Sequence, residues 1–161
     1  MKYALGLDVS PLRIGWAFVL IEGALIKPVV HGTHLFDKNI WVTPSMRAEV
    51  IEDLHELTKI SPMIIGLEGV FVGPNKIGSI RAAMALGQIE SICDYEWPEA
   101  EQKVLTPPQW RKLCDIPQGG KTPVLDWSQE FVGDLLDSQD TADAIAIAYA
   151  VSQWREQSSA E

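Results

Sequence analysis

Two short apolar runs in this sequence end in the same way. Leu5-Gly6-Leu7-Asp8 and Ile65-Gly66-Leu67-Glu68 each bring a carboxylate to the C-terminal end of a segment suited to burial. Alternate residues of a strand share a face, so Gly6 lies on the side of Asp8 and Gly66 on the side of Glu68, leaving room beside each acid. Either acid alone also fits a plainer reading, a strand whose polar last residue reaches water. A third segment adds two more acids. At 100° per residue, Asp140, Asp143, Ile147, Val151 and Trp154 fall within one helical stripe about 80° wide. Acids in a first turn oppose the helix dipole. That accounts for aspartate at 140 and 143, but not for both on the inward side, where ionised groups repel and lose hydration. No Lys or Arg occurs from Ser138 to Gln153. A hard divalent cation is the economical counter-charge: Mg²⁺, with Mn²⁺ as a substitute, takes oxygen ligands. Four acids suffice for two ions, and ions roughly 3.5–4 Å apart activate water and stabilise the leaving oxygen in phosphodiester hydrolysis.

The elements that must position these acids are legible in outline. Residues 2–8 and 14–21 read as strands joined by the turn-rich Ser10-Pro11-Leu12-Arg13, which suits a hairpin, and 27–36 supplies a third strand. Ser45 is placed to cap a helix of about 15 residues, with Val50, Leu54 and Leu57 at helical spacing. Ser61-Pro62 ends it, and Met63 to Glu68 is a short buried strand. Pro74 opens a long helix to about Ile92, Lys103 to Leu105 is a brief strand, and Pro107-Pro108 starts a short helix carrying Trp110 and Arg111. After the Gln118-Gly119-Gly120 loop, Pro123 suits a first helical turn. Ser138 caps a last helix to about Arg155. Strands come early and helices late, with a strand–helix–strand unit between, which predicts a mixed α/β domain over residues 1–156 and a flexible tail over 157–161.

Composition narrows the setting. The 161 residues are 47% hydrophobic and 22% charged, an ordinary globular balance that excludes disorder and fibrous repeats. No apolar run approaches the roughly 18 residues of a membrane span, the apolar start is interrupted by Gly6 and Asp8 so that no cleaved leader is expected, and Cys93 and Cys114 are too few for a disulfide framework. A reduced, cytoplasmic setting is the expectation. The net charge of −9 argues against a generic nucleic-acid binder. Its distribution softens that objection. Between Gln102 and Leu125 four bases (Lys103, Arg111, Lys112 and Lys121) face Asp115 alone, a net of +3, while acid concentrates at Asp94, Glu96, Glu99 and Glu101. A local basic groove is compatible with an acidic chain.

With these residues in order, the chain resembles the RuvC-type Holliday junction resolvases of the ribonuclease H-like superfamily. The resemblance rests on Leu5-Gly6-Leu7-Asp8 followed by Ile14-Gly15-Trp16-Ala17, then Ile65-Gly66-Leu67-Glu68-Gly69-Val70-Phe71. It continues through Ala85-Leu86-Gly87-Gln88 and closes with Asp140-Thr141-Ala142-Asp143-Ala144-Ile145-Ala146. It implies an RNase H-like α/β fold, a mixed central sheet flanked by helices, with the acids gathered where the first and fourth strands lie side by side under the final helix. It implies Asp8, Glu68, Asp140 and Asp143 as catalytic, metal-binding acids for two Mg²⁺ ions, and branched DNA, four-way junctions above all, as the partner. Cleavage would leave 5′-phosphate and 3′-hydroxyl ends. Phe71 matches an aromatic that contacts the junction, and Lys121 a basic residue near the active site. The family's Asp-Pro-Gly is here Asp8-Val9-Ser10 and its basic loop is reduced to Gln118-Gly119-Gly120, departures that look like the divergent phage or prophage branch.

Other residues are read more plainly. His31, His34 and His55 have no metal-ligand spacing, and Trp110-Arg111 fits packing plus surface. Lys76 and Arg81, after the second acid, suit phosphate contacts as well as simple solubility. The helix from Pro74 to Ile92 is apolar on most sides: Ile77, Ile80, Met84 and Ile92 mark one face, with Ala82, Ala83, Ala85, Leu86 and Ile89 around the rest. That predicts one face on the sheet and one for a second copy, a homodimer suited to the two symmetric strands of a junction. Two rivals share the fold: a catalytically silent DNA-binding or scaffold protein, disfavoured by the presence of all four acids, and an actin-like ATPase fragment, whose glycine-rich phosphate loop Asp8-Val9-Ser10-Pro11 does not supply.

Overall fold

The computed structural model describes residues 1–158. Strand β1 (Lys2–Ser10) turns at Pro11-Leu12 into β2 (Arg13–Glu22), pairing Ser10 with Arg13 and Asp8 with Gly15. Strand β3 (Leu25–Leu35) continues the meander antiparallel to β2. Helix α1 (Pro44–Thr58) then carries the chain back so that β4 (Ile64–Glu68) enters parallel to β1, and α2 (Lys76–Glu96) does the same for β5 (Glu101–Leu105) beside β4. The sheet order is β3-β2-β1-β4-β5. The three last elements are helices: α3 (Pro107–Leu113), α4 (Thr122–Val132) and α5 (Gln139–Ser158).

Strand alternation splits the core into two clusters. Leu5, Leu7, Ile65 and Leu67 pack with Ile51, Leu54, Leu86 and Ile89 of α1 and α2. On the other face Ala4, Ala17, Val19, Ile64 and Leu105 pack with the helices α3 to α5. This is the expected mixed sheet flanked by helices. Helix α5 lies between the sheet and α3 and α4, which buries Ala142, Ala144 to Ala148, Ala150 and Val151 almost completely. Its apolar surface is therefore far wider than the predicted stripe.

That burial corrects one expectation. The space left by Gly6 and Gly66 is not open room beside the acids. A Cβ at Gly6 would stand 2.1 Å from the carbonyl oxygen of Ala144 and 2.4 Å from the nitrogen of Ala148, and one at Gly66 would stand 2.8 Å from Ile147. The glycines let α5 lie directly on β1 and β4. At Gly15 the same geometry holds 2.3 Å from the Asp140 carbonyl, so the first turn of α5 rests on β2 beside the partner of Asp8.

Several boundaries also differ. Thr43, not Ser45, caps α1 by accepting from the Met46 N–H, because Pro44 lacks a donor and suits the first turn. Leu57 is 83% exposed rather than packed. Asn75 caps α2, which begins at Lys76 and runs past Ile92 to Glu96, and β5 begins at Glu101, before Lys103. Ser138 accepts from the Thr141 N–H, as a cap should, and Thr33 of β3 hydrogen-bonds both Ser138 and Thr141. Helix α5 extends through Ser158, so the first two residues expected in the tail are helical, and residues 159–161 lie outside those described.

Candidate active site

The parallel neighbours β1 and β4 are in register from Ala4–Ile64 to Leu7–Leu67, so Asp8 and Glu68 follow side by side at one end of the sheet, although β1 does not stop at Asp8 as expected but runs on to Ser10, held by its pairing with β2. The N-terminal turn of α5 crosses that end with Asp140 and Asp143. Asp8 and Asp140 are close enough to share a hydrogen bond. Gln139 donates to Oδ1 of Asp143 at 2.8 Å. Trp110 of α3 donates its indole N–H to Oε2 of Glu68 at 3.0 Å.

The electrostatics follow from burial of like charges. Burial, then the charges of Glu68, Asp143 and Asp140, hold the Asp8 carboxyl well above the usual range. Burial and Asp143 raise Glu68 to about 7, against the Trp110 hydrogen bond and the charge of Arg111. Asp143 is raised by burial, with the Gln139 hydrogen bond, Arg111 and Lys121 pulling the other way. Arg13 stands 3.4 Å from Asp140 and offsets that charge in part. Asp8 and Glu68 have no such direct cationic partner in a described ion pair. Clustered carboxylates that retain protons are the chemistry a divalent cation displaces, and four hard oxygen donors of this kind fit Mg²⁺ or Mn²⁺. The donor set fits in type, although among the described residues no three histidine, cysteine, aspartate or glutamate side chains stand ready to hold an ion.

No protein-family model matches the chain. Among solved structures, Thermus thermophilus RuvC in complex with a Holliday junction substrate superimposes with a TM-score of 0.76 at 16% identity, covering 96% of both chains. The chain has the RuvC fold. The yeast mitochondrial Holliday junction resolvase shares it with a TM-score of 0.65 at 14% identity, covering 97% of this chain and 80% of that one. Among curated proteins, the crossover junction endodeoxyribonuclease RuvC of Rickettsia prowazekii (strain Madrid E) is 24% identical over 155 residues, 90% of this chain and 93% of that protein.

Within this RuvC fold the remaining predicted residues stand apart from the acids. Lys121 ends an exposed loop yet its charge reaches Asp143. Phe71, three residues past Glu68, is 83% exposed. Lys76 is exposed at the start of α2, and Arg81 lies 5.9 Å over the ring of Trp41. His55 pairs with Glu96 between α1 and α2, and His34 packs edge-on against Phe36, so neither joins the acids. Sequence reasoning missed Arg13, Gln139 and Trp110. The hairpin register was the available signal for Arg13, since it starts the strand that pairs Gly15 with Asp8. Nothing local marks Trp110 as a partner of Glu68.

Proposed function

We propose that this protein is a divalent-metal-dependent endodeoxyribonuclease that nicks branched DNA, four-way junctions in particular, in the cytoplasm. The observation that carries this reading is the convergence of Asp8, Glu68, Asp140 and Asp143, from two neighbouring strands and one helix, into a single half-buried carboxylate cluster on a RuvC fold. These four carboxylates would hold the metal, Mg²⁺ or Mn²⁺, as two ions. Such ions supply an activated water and charge neutralisation at a scissile phosphate. The chain's own groups do the rest. Trp110 and Gln139 fix the carboxylates of Glu68 and Asp143. Lys121 and Arg111 place positive potential on the Asp143 side, where a backbone phosphate would be drawn in. Phe71, three residues past Glu68, would offer its exposed ring to an unpaired base, and Lys76 and Arg81 would extend phosphate contact along α2.

A homodimer completes the reading. Ile77, Ile80 and Met84 of α2 are 68%, 59% and 51% exposed, while Ala85, Leu86 and Ile89 pack on the sheet and Ile92, expected on the side of Ile77, packs against that core as well. One face of the helix is thus left for a second copy, which would set two active sites on a two-fold junction.

The decisive assay offers four-way junction, flap and linear duplex side by side, with Mg²⁺ and with EDTA. Junction nicking that leaves 5′-phosphate ends, ceases in EDTA and is lost in Asp8→Asn with junction binding largely retained is the expected result. Full cleavage by Asp8→Asn, or cleavage indifferent to EDTA, would overturn it.

A further inference from the structure

Helix α3 is seven residues long and contributes a single buried side chain of its own, Trp110, at 2% exposure. A buried indole needs a partner for its N–H. Here the partner is not a backbone carbonyl but Oε2 of Glu68, 42 residues away in sequence, at 3.0 Å. The bond commits one carboxylate oxygen of Glu68 to a ring locked in the core and leaves Oε1 outside it.

The ring is held from its other side as well. The Arg111 guanidinium lies 5.5 Å from the Trp110 ring centroid. Arg111 is itself fixed, donating to the carbonyl oxygens of Pro117 and Gly119 at 3.0 Å each and to that of Gly120. Gly119 and Gly120 are both left-handed, with φ of 81° and 69°, a conformation L side chains rarely adopt. The loop thereby turns its carbonyls onto Arg111 and delivers Lys121. A flexible glutamate at a strand end is thus aimed by a group with almost no freedom of its own.

We propose that Trp110 is a positioning residue for Glu68: its N–H sets the carboxylate for metal binding, beyond any part it plays in packing. This rests on the nuclease reading above. A core residue alone would affect stability and leave metal affinity unchanged. An outer partner of a metal ligand, when removed, typically weakens metal binding or activity by 10–100-fold.

The test removes the donor and keeps the shape. The Trp110 indole is replaced by its benzothiophene isostere, which exchanges N–H for sulfur, and Trp110→Phe serves as a second donor-free variant. Free Mn²⁺ is measured by electron paramagnetic resonance against wild type, and the Mg²⁺ concentration for half-maximal junction nicking is recorded in parallel. Both variants are expected to bind Mn²⁺ about tenfold more weakly and to need correspondingly more Mg²⁺. Wild-type Mn²⁺ affinity and Mg²⁺ requirement in the folded isostere would overturn the positioning role alone. A wild-type protein that neither binds Mn²⁺ nor nicks junctions would overturn the nuclease reading, and this inference with it.

Discussion

Replacing Glu68 by glutamine should make the metal-free protein more stable while ending its cleavage. The folded-state pKa of Glu68 is raised from 4.5 to about 7, first by burial and then by Asp143. A carboxyl whose folded pKa lies above its unfolded value binds its proton more tightly in the native state. Its presence therefore destabilises the fold increasingly as pH rises from 4.5 toward 7, and fully above 7. The shift corresponds to about 3 kcal/mol at pH 8 and under about 1 kcal/mol at pH 4.5. Relaxation and water entry leave about half of the larger figure. Glutamine has no charge to bury, and its carbonyl oxygen still accepts from Trp110. Asp8 also gains, because after burial the charge of Glu68 is the largest influence raising it. For a chain of this size 1 kcal/mol moves Tm by about 2–4 °C, so Glu68→Gln should melt about 3–6 °C above wild type at pH 8. Calorimetry in EDTA at pH 8 and pH 4.5 checks this. A variant no more stable than wild type at pH 8, or a gain equal at both pH values, would refute the buried-charge argument.

Metal should stabilise the wild-type protein more at pH 8 than at pH 5, because the raised acids must lose protons to serve as ligands; Tm with and without Mg²⁺ at both values measures it. Gly6→Ala should cost about 1–3 kcal/mol or more, since its Cβ meets α5 backbone that cannot yield as a side chain would; chemical denaturation reads the loss, and an unchanged midpoint would contradict the close approach of α5. Ala83→Glu, on the exposed side of α2, should convert a dimer to monomers in sedimentation without unfolding them, whereas Ala85→Glu should unfold the chain because Ala85 is buried. A wild-type chain that sediments as a monomer at micromolar concentration, free and on junction DNA, would refute the dimer.

Read locally, the sequence already marked the two strands that carry Asp8 and Glu68, though β1 runs two residues past Asp8, together with the Ser138 cap and the helix that follows with Asp140 and Asp143. These are local matters: apolar runs of strand length, period-two alternation and a hydroxyl at a helix start carry their own physical signals. It also marked α2 as a helix with more apolar surface than one sheet can cover. Tertiary structure decided what those signals could not reach. Leu57 keeps helical spacing yet faces water, because the position of α1 on the sheet, and not its period, sets which side is covered. Gly6 and Gly66 looked like space for chemistry, but α5 fills it, and this is what brings its aspartates to the strand ends. Arg13 reaches Asp140, and Trp110 reaches Glu68, across 42 residues of chain in the second case. Such partnerships depend on the packing of α3 and α5 against the same face of one sheet. A hydrogen bond or ion pair between distant segments has no periodicity, so only the folded chain shows which buried donor meets which acid.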